Sequence, residues 1–404
     1  MKAMDKTKGG GLVLLEIVLV FLRLGLTSFG GPVAHLGYFR EEFVTRRRWL
    51  DDASYGDLVA LCQFLPGPAS SQVGFAIGLL RGGWYGAILA FVGFTLPSAI
   101  LMIGFAFGAV WLDGPFGIGL IHGLKLVAVA VVAHAVWGMA QKLCPDWQRS
   151  VIALISMLVL ALVGSALTQV LVIAVGALIG WWMLSSAQQP SPVHETNGPE
   201  RGLKSVVLML VFVVLLIGLP IMADTGDNNF LALVSGFYQS GALVFGGGHV
   251  VLPLLEVQTV ATQRLSEAQF LAGYGVAQAV PGPLFTFAGY LGAVGSYGLN
   301  ATAAGLWALF AVFLPGFLLV GAALPYWQEL RVRQDVQGIL AGANAAVVGV
   351  LAFALYDPLW TSTINSKLDF VVAAAGFVML SQWKMPAYSV VVILGGAGLA
   401  MSLL

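Results

Sequence analysis

Charged residues are scarce in this chain of 404 residues, because Asp, Glu, Lys and Arg together make up only 9% of it. Soluble domains carry about 25% charged residues, so the low charge excludes an ordinary water-soluble fold. Apolar residues make up 59% of the chain, and the mean hydropathy is +0.90. Apolar runs of about 18 residues or more recur between Leu12 and Leu404, and each is a candidate transmembrane helix. We therefore predict an all-α, polytopic membrane protein.

Cysteines and cofactor motifs are also few. The two cysteines, Cys62 and Cys144, lie in or at the end of apolar segments without metal-ligand spacing, and small buried side chains are the simplest interpretation. The chain has no haem, flavin or nucleotide-binding motif and no Walker-type sequence. This excludes an ATP-driven pump and gives no support to a membrane-embedded enzyme such as a reductase. We expect no catalytic residue, no metal, no cofactor and no nucleic-acid partner.

Glycine and proline are present in the middle of apolar segments, where a helix should continue. Residues 29–32 read Phe-Gly-Gly-Pro, and residues 65–68 read Leu-Pro-Gly-Pro. In a helix interior glycine costs about 1 kcal/mol and proline about 3 kcal/mol. In lipid, the backbone groups that such breaks free must find other partners or line a cavity. Similar breaks return at residues 245–247 and 281–283, and four paired breaks favour a functional site over simple proline kinks.

The four breaks belong to an internal duplication. The matched stretches are 29–31 with 245–247, 63–68 with 278–283, 96–97 with 314–315, and 123–125 with 342–344. The offset drifts only from 215 to 219 residues, which indicates duplication rather than chance composition. Duplicated halves are common in secondary transporters, whose sites lie near the midplane at discontinuous helices. We predict an N-terminal repeat at 1–186, a linker with one extra span at 187–228, and a C-terminal repeat at 229–404.

The number of apolar segments and the positions of the basic residues predict the topology. Each repeat has six apolar segments and one extra span separates them, so the second repeat starts on the opposite side and the repeats are inverted. If the broken segments are re-entrant hairpins, the basic cluster at 40–48 lies inside, and only Arg264 and Lys367 lie outside. Single crossings would place that cluster outside, against the positive-inside rule. Because 28 residues form about 42 Å of helix, one segment can supply two half-membrane arms. We therefore favour hairpins with tips near the midplane.

The chemistry of the breaks suits an anion. Helix ends that meet at mid-membrane present unpaired N–H groups and positive dipole ends. Ser70, Ser71 and Gln72 follow the second break and would add polar groups, although helical hydroxyls often bond the preceding turn instead. Arg23 and Lys125 lie well inside apolar segments, where a charge is costly and marks a functional site by default. Two cations suggest a dianionic substrate; the alternative is that these side chains reach to the membrane surface.

A few titratable residues are candidates for proton coupling. His35 and His249 follow the two Gly-Gly breaks, and a histidine there could carry a proton or donate to an oxyanion. Glu256 is the carboxylate of the second half that could titrate within the membrane, whereas Asp57 lies nearer the interface. We name Glu256 and Asp57 as the proton-coupling candidates.

The stretches 28–37, 49–52 and 62–72 resemble the chromate ion transporter (CHR) family, including its long-chain members with two homologous halves. The Phe-Gly-Gly and Pro-Gly-Pro pairs are specific in combination, and the resemblance covers essentially the whole chain. It implies a multi-pass carrier of the bacterial inner membrane that exports chromate, a tetrahedral dianion, and confers resistance to it, with protons as the coupling ion. The second half has Gly248 and His249 where the first has Pro32 and Val33, so its role in binding stays open.

These considerations define one set of candidate substrate-binding residues. They are Arg23, Gly30, Gly31, His35, Pro66, Gly67, Pro68, Ser70, Ser71, Gln72, Lys125, Gly246, Gly247, His249, Pro281 and Gly282. Sulfate uptake or exchange is the alternative function within the same class. An anion channel would need a continuous polar path, whereas broken hairpins in inverted repeats suit alternating access better. A homodimer is one further possibility.

Overall fold

The fold is known from a computed structural model, which describes residues 10–29, 31–108, 115–163, 166–184, 202–224, 228–245, 250–295, 297–330 and 333–402. The statements below concern those residues. They are overwhelmingly helical, and none of them forms a strand. The candidate residues Gly30, Gly246, Gly247 and His249 lie outside the described part of the chain.

The first half contributes seven α-helices. They are α1 (Gly10–Thr27), α2 (Gly31–Arg40), α3 (Asp52–Phe64), α4 (Ala69–Gly108), α5 (Pro115–Leu143), α6 (Trp147–Leu162) and α7 (Ala166–Leu184). A π-helical turn, Glu41–Arg46, prolongs α2. The Asp51 side chain accepts a hydrogen bond from the Ser54 N–H group and so caps α3, which satisfies one of the free donors of the first turn.

The linker helix and the second half follow. They comprise α8 (Leu203–Asp224), α9 (Asn229–Ala242), α10 (Val251–Thr259), α11 (Glu267–Ala279), α12 (Phe287–Val294), α13 (Ala301–Ala323), α14 (Trp327–Leu330), α15 (Gln334–Ala354), α16 (Thr361–Thr363), α17 (Lys367–Ser381) and α18 (Ala387–Met401). The helix ends again show side-chain caps, because Ser266 and Gln269 form a capping box at the start of α11. This reciprocal pair satisfies two backbone donors at once.

Six helical stretches among the described residues are long and apolar enough to cross a membrane. They lie in α1, α4, α5, α8, α13 and the region that begins with α15. The predicted all-α, polytopic membrane protein is thereby confirmed. The extra span α8 lies at the periphery, since none of its most apolar stretch is buried within the protein. Such a surface is stable only in contact with lipid or another apolar partner.

The chain turns back at the first glycine break. The ring of Phe21 on α1 lies 5.9 Å from that of Phe39 on α2 and 5.1 Å from that of Phe43. Farther from the break, the Arg47 guanidinium group lies 2.9 Å from the Glu16 carboxylate. Residues on the two sides of the break thus meet in reverse order, so α1 and α2 form the antiparallel arms of a hairpin.

A second reversal lies within α4. Gly83 has a φ of +63°, and Gly82 also departs from helical geometry. After this turn the chain runs back, because Gly78 packs directly against Gly86 and Ala90. Eight residues of continuous helix would separate Gly78 and Gly86 by about 12 Å. The part of α4 before the turn is therefore the returning arm of the second hairpin, and residues 84–108 form a long helix of their own.

Ion pairs hold the open ends of the first two hairpins together. The Arg47 guanidinium group binds the Glu42 carboxylate at 2.6 Å as well as Glu16, and Arg81 lies 3.7 Å from Glu16. Trp49 lies between the two arginines, with their guanidinium carbons 5.7 and 4.9 Å from its ring centroid. Burial opposes ionisation of Glu42, but the neighbouring guanidinium groups outweigh it and lower the pKa of its carboxyl group. We call this cluster of Glu16, Glu42, Arg47, Trp49 and Arg81, at the open end of the hairpins, the arginine base.

The long helix 84–108 runs antiparallel to α13. Trp84 at its start packs over Gly321 near the end of α13, and Ile103 near its end packs over Gly305 near the start of α13. Glycine at positions 305 and 321 gives the larger side chains room to approach the backbone. The turn at Gly82 and Gly83, which follows the second hairpin, therefore lies beside the C-terminal end of α13.

The two halves also interlock through their later helices. Helix α5 of the first half packs against α17 and α18 of the second, and α15 of the second half packs against α6 and α7 of the first. Gly123 meets Gly395 in one contact and Gly342 meets Gly180 in the other. These small residues let the backbones touch, as is usual between membrane helices. The packed core therefore contains helices of both halves.

Candidate functional site

Four chain breaks meet in the middle of the molecule. We call them tip 1 (residues 28, 29 and 31), tip 2 (65–68), tip 3 (243–245) and tip 4 (280–283). The N–H group of Gly67 in tip 2 donates to the Val244 carbonyl of tip 3 at 2.7 Å. The N–H group of Gly282 in tip 4 donates to the Ser28 carbonyl of tip 1 at 2.9 Å. Each tip of one half is thus bonded to the unlike tip of the other half.

Glycine is required at both donor positions. Gly67 has a φ of +126° and Gly282 a φ of +96°, which side chains rarely allow. A Cβ atom on Gly67 would lie 2.9 Å from the Gln72 amide nitrogen and 3.1 Å from the Gly316 Cα atom. A Cβ atom on Gly282 would lie 2.8 Å from the Ser98 hydroxyl oxygen. The structure therefore gives these two glycines a packing role at the close crossing of the tips, and their role in substrate binding stays a prediction.

The tips lie near mid-height of the long helix 84–108. Ser98, which adjoins Gly282, is roughly 21 Å from the start of this helix, whose total length is about 37 Å. In α13 the matching residue is Gly316, which adjoins Gly67. Both pairs of tips are therefore reached about halfway along a helix long enough to span a membrane.

His35 joins the two tips of the first half. The side chain is fully buried, with Nε2 3.2 Å from the Ser28 carbonyl oxygen and Nδ1 3.3 Å from the Ser70 hydroxyl. Because a carbonyl can only accept, Nε2 carries the proton, and in the neutral ring Nδ1 accepts from Ser70. The ring also contacts Phe94 edge to face at 5.4 Å. Of the predicted site residues, His35 and Ser70 are therefore brought together by the fold.

Gln72 links tip 2 to α13. Its amide nitrogen donates to the Pro66 carbonyl at 2.9 Å and to the Gly316 carbonyl at 3.2 Å. Since both partners are acceptors, the orientation of the amide group is determined. Its Oε1 atom is buried and has no hydrogen-bond donor among the described residues. Gln72 thus stabilises the tip and leaves one polar atom available to water or a ligand.

Other buried polar atoms around the tips also lack hydrogen-bond partners within the described chain. They are the hydroxyl oxygens of Ser28, Ser71 and Thr95, and the side-chain nitrogen of Gln278. A buried polar group without a partner costs about 1–3 kcal/mol, so a folded protein normally supplies water or a ligand to it. This concentration of free polar atoms at the tips indicates a site that receives a hydrogen-bonding ligand.

Helix N-termini add positive potential at the same place. Helix α2 begins at Gly31 beside tip 1, and α4 begins at Ala69 beside tip 2. In the second half, α10 begins at Val251 after tip 3, and a short 3₁₀ turn that leads into α12 begins at Leu284 after tip 4. Free N–H groups and the helix dipole at such ends favour an anion.

The second half lacks the polar side chains of the first. By repeat offset, His35 corresponds to Val251, Ser70 to Phe285, and Gln72 to Phe287. Ser71 corresponds to Thr286, whose hydroxyl already donates to the Pro283 carbonyl at 2.8 Å. Pro281 and Gly282 shape tip 4, and both are buried. Among the described residues, the polar side chains at the tips therefore belong to the first half apart from Gln278 and Thr286, and the second half otherwise supplies backbone and apolar side chains.

The two intramembrane cations lie at different distances from the tips. Lys125 is half-buried on α5, and α5 packs antiparallel to α18, with Gly123 against Gly395. Because Tyr388 of α18 contacts Phe29 of tip 1 at 5.0 Å, tip 1 is level with about residue 130 of α5. Lys125 is then roughly 8 Å away along the helix. None of the described residues forms a hydrogen bond or ion pair with its ammonium group.

Arg23 is placed less simply. It lies on α1 one turn before tip 1, but its side chain is exposed on the face opposite the buried Phe21 and Leu24. No described residue pairs with its guanidinium group. The fold therefore does not bring Arg23 into contact with His35 or Ser70, and a role at the tips would require its long side chain to reach across.

The two proton-coupling candidates lie on α10 and α3. Glu256 is half-buried in α10, within electrostatic reach of the Glu267 and Asp357 carboxyl groups. Asp57 is half-buried in α3. Elsewhere, His122 binds the Asp369 carboxylate at 2.7 Å, and Asp369 in turn caps α17, so His122 has a structural partner.

Sequence reasoning missed three residues that lie at the tip crossing. Ser28 precedes the Phe-Gly-Gly motif and supplies the carbonyl that both His35 and Gly282 bind. Thr95 and Ser98 flank the Leu-Pro pair at 96–97, which was recognised only as part of the repeat. Ser98 packs beside Gly282 of the other half and its hydroxyl donates to the Thr95 carbonyl at 3.0 Å, so its placement depends on a contact between the two halves. The conspicuous repetition of that Leu-Pro pair was the signal that could have led to them.

Comparison with known proteins identifies the family. The sequence profile described as chromate transporter matches residues 15–181 and 231–401, one match for each half. The chain belongs to the chromate transporter family. The resemblance seen in the broken-helix motifs is thus confirmed.

Three named relatives align with this chain over most of their length. The chain is 26% identical to the chromate transport protein of Cupriavidus metallidurans over 85% of this chain and 82% of that protein. It is 26% identical to a probable chromate transport protein of Synechococcus elongatus, with 95% of each chain covered. It is 27% identical to the chromate transport protein of Pseudomonas aeruginosa, over 94% and 90% of the two chains. No solved structure matches the chain. Relatives named as transporters support a membrane transporter rather than an enzyme.

Proposed function

We propose that this protein exports chromate across the bacterial inner membrane by proton-coupled antiport and so confers resistance to chromate. The observation that carries the proposal is the meeting of helix N-termini and free buried hydroxyls at the tips, in a member of the chromate transporter family. Chromate is a tetrahedral dianion that only accepts hydrogen bonds. N–H groups, hydroxyls and a nearby ammonium group are the partners it requires.

The proposed binding site lies in the first half. The free Ser71 hydroxyl and the N-termini of α2 and α4 donate to the anion, whereas the Ser70 hydroxyl donates to His35 and so holds tip 2 against tip 1. Lys125 supplies positive charge from α5, and Arg23 supplies it from the exposed face of α1. Gly31, Pro66 and Pro68 shape the two breaks, and the undescribed Gly30, Gly246, Gly247 and His249 remain candidates.

The contacts between halves support an inverted repeat. The reciprocal bonds between Gly67 and Val244 and between Gly282 and Ser28 are what a two-fold relation would produce. Helix 84–108 begins where the first two hairpins end, and α13 begins where the other two hairpins end. Because these two helices are antiparallel, the two pairs of hairpins end on opposite sides of the protein. We therefore propose that the first two hairpins open to the cytoplasm, beside the arginine base, and the other two to the periplasm.

This arrangement suits alternating access. At each of the two crossings the described residues form one backbone hydrogen bond between the tips. Such crossings can separate without unfolding a complete transmembrane helix. Rocking of one repeat against the other would expose the site first to one side and then to the other. Glu256 and Asp57 remain the candidates to carry the coupling proton, and a homodimer remains a prediction.

Transport in inverted membrane vesicles tests the function. Vesicles that contain the protein should accumulate radiolabelled chromate when a proton gradient is imposed, and they should lose this accumulation when an uncoupler removes the gradient. Vesicles from cells without the protein are the control. Accumulation that ignores the gradient would contradict antiport and favour a channel. Equal competition by sulfate would favour the alternative, a sulfate or general oxyanion exchanger.

Single cysteines test the topology. Thr45 lies exposed in the π-helical turn of the first half, and Thr262 lies exposed in the corresponding turn of the second. In the proposed topology Thr45→Cys reacts with an impermeant thiol reagent only from the cytoplasm, and Thr262→Cys only from the periplasm. Reaction of both from the same side would disprove the inverted arrangement.

A further inference from the structure

A cavity of about 210 Å³ lies between α7, α9 and α10. Its polar lining consists of three amides and one hydroxyl, from Gln169, Gln239, Gln258 and Ser240. Leu243 also lines it and precedes Val244, whose carbonyl receives the bond from Gly67. The cavity therefore adjoins the crossing of tips 2 and 3. Its volume holds a tetrahedral oxyanion together with several water molecules, each of which occupies about 30 Å³.

The amides have hydrogen-bonding capacity to spare. The Gln239 nitrogen donates to the Ser235 hydroxyl at 3.1 Å, and the Ser240 hydroxyl bonds backbone carbonyls. The side chains of Gln169 and Gln258 form no hydrogen bond with another described residue. Within a membrane protein, polar groups that line a cavity in this way are satisfied by water or by a ligand that passes through.

The described residues that line this cavity are uncharged, whereas two of their counterparts in the first repeat are charged. Gln239 corresponds by offset to Arg23, and Gln258 corresponds to Glu42. Glu256 is not among the described residues that line the cavity. Amide N–H groups can bind an oxyanion, but without a fixed positive charge they hold it weakly. Equivalent positions of the two repeats thus carry charged side chains in the first half and neutral amides in the second.

We propose that this amide-lined cavity is a second, low-affinity site for the transported oxyanion, at which the anion pauses between the tips and the side where the second pair of hairpins opens. The inference rests on the proposed function. Because the described lining of the cavity carries no charged side chain, the anion would be held weakly there and released easily.

Charge variants of Gln239 test the inference in reconstituted vesicles. Gln239→Arg should trap the anion, with a decrease of about tenfold in both KM and turnover, because one added positive charge changes anion affinity by at least that factor. Gln239→Glu should raise KM by a similar factor, and Gln239→Leu should slow turnover without lowering KM. Gln382→Leu, at an exposed position just after the end of α17, is the matched control and should behave like the wild type. If the Arg and Glu variants behave alike, or both stay within twofold of the wild type, the inference is wrong.

A labelling experiment keeps this test separate from the transport assay. Gln169→Cys, made in protein whose Cys62 and Cys144 have been replaced by serine, should react with a water-soluble thiol reagent. Sulfate, a tetrahedral dianion that does not oxidise thiols, should slow the reaction several-fold at millimolar concentration, and gluconate should not. Protection by sulfate would support the site even if chromate transport failed. Unchanged labelling would show a cavity that holds only water, and would leave the proposed function intact.

Discussion

Replacement of Gly67 and Gly282 by alanine tests whether the crossing of the tips holds the protein together. The two glycines occupy equivalent positions in tips 2 and 4, and each donates the backbone hydrogen bond that joins the halves. Both have a positive φ, but their surroundings differ. Gly67 faces the Gly316 backbone and the Gln72 amide, whereas Gly282 faces the hydroxyl end of Ser98.

The expected cost follows from these surroundings. A non-glycine residue at such φ values costs about 1–3 kcal/mol. Overpacking against neighbours that cannot move adds about 1–3 kcal/mol. Gly67→Ala bears both costs, because the Gly316 backbone cannot yield, so we expect a loss of about 3–5 kcal/mol. Gly282→Ala should lose about 2–4 kcal/mol, since the Ser98 hydroxyl can turn aside.

The assay is the midpoint of thermal unfolding of the purified protein in detergent, together with chromate accumulation in vesicles. Gly67→Ala should unfold at the lowest temperature, and Gly282→Ala at an intermediate one. Adding Ser98→Ala to Gly282→Ala should recover about 1 kcal/mol by removing the contact at 2.8 Å. Gly37→Ala is the matched control: this helical glycine is exposed with open space around it, so alanine should be neutral or stabilising.

One result would refute the reasoning. If Gly67→Ala and Gly282→Ala unfold within the error of Gly37→Ala, the tips are not packed as described. If both variants lose stability but Ser98→Ala restores none of it, the backbone conformation alone would be responsible, and the close approach to Ser98 would be wrong.

Other changes have expected outcomes in the same vesicle assay. His35→Leu should lower transport at least tenfold, because it leaves the Ser70 hydroxyl without its partner at a cost of about 1–3 kcal/mol; wild-type rates would contradict this. Lys125→Ala and Arg23→Ala should each abolish transport while immunoblots still show protein in the membrane, and full activity in both would remove the two-cation argument. Ser71→Ala should weaken chromate binding about two- to tenfold, since its hydroxyl is free for a ligand. Thr286→Ser, which keeps the hydroxyl bonded to its own turn, should stay within twofold of the wild type, and an equal effect of both changes would disprove the asymmetry.

Composition and spacing were enough to predict the fold class and the four breaks. Low charge and long apolar runs specify membrane helices, because the bilayer leaves no other way to satisfy the backbone. Glycine and proline inside those runs mark breaks, since their cost is local and large. The assignment of His35 and Ser70 to one site stays a prediction as regards function, but the structure does place their side chains within 3.3 Å of each other.

Arg23 shows where sequence reasoning stops. Its position in an apolar segment is readable, but the direction of its side chain depends on which face of α1 the rest of the protein covers. Phe21 and Leu24 face the core, so Arg23 faces outward. The roles of Ser28, Thr95 and Ser98 were hidden for a similar reason, because each acquires its significance from residues far away in the chain.

The sequence by itself determined a membrane protein of two homologous halves with four broken helices, and it carried the resemblance to a transporter family. These properties depend on composition and on short-range spacing, which act wherever the chain happens to lie. Only the tertiary structure decided that tip 2 binds tip 3 and tip 4 binds tip 1, and that the polar groups gather in the first half. Those contacts join residues more than 170 positions apart, and their geometry arises from helix packing between the halves. The breaks were visible in the sequence, but their meeting place was not.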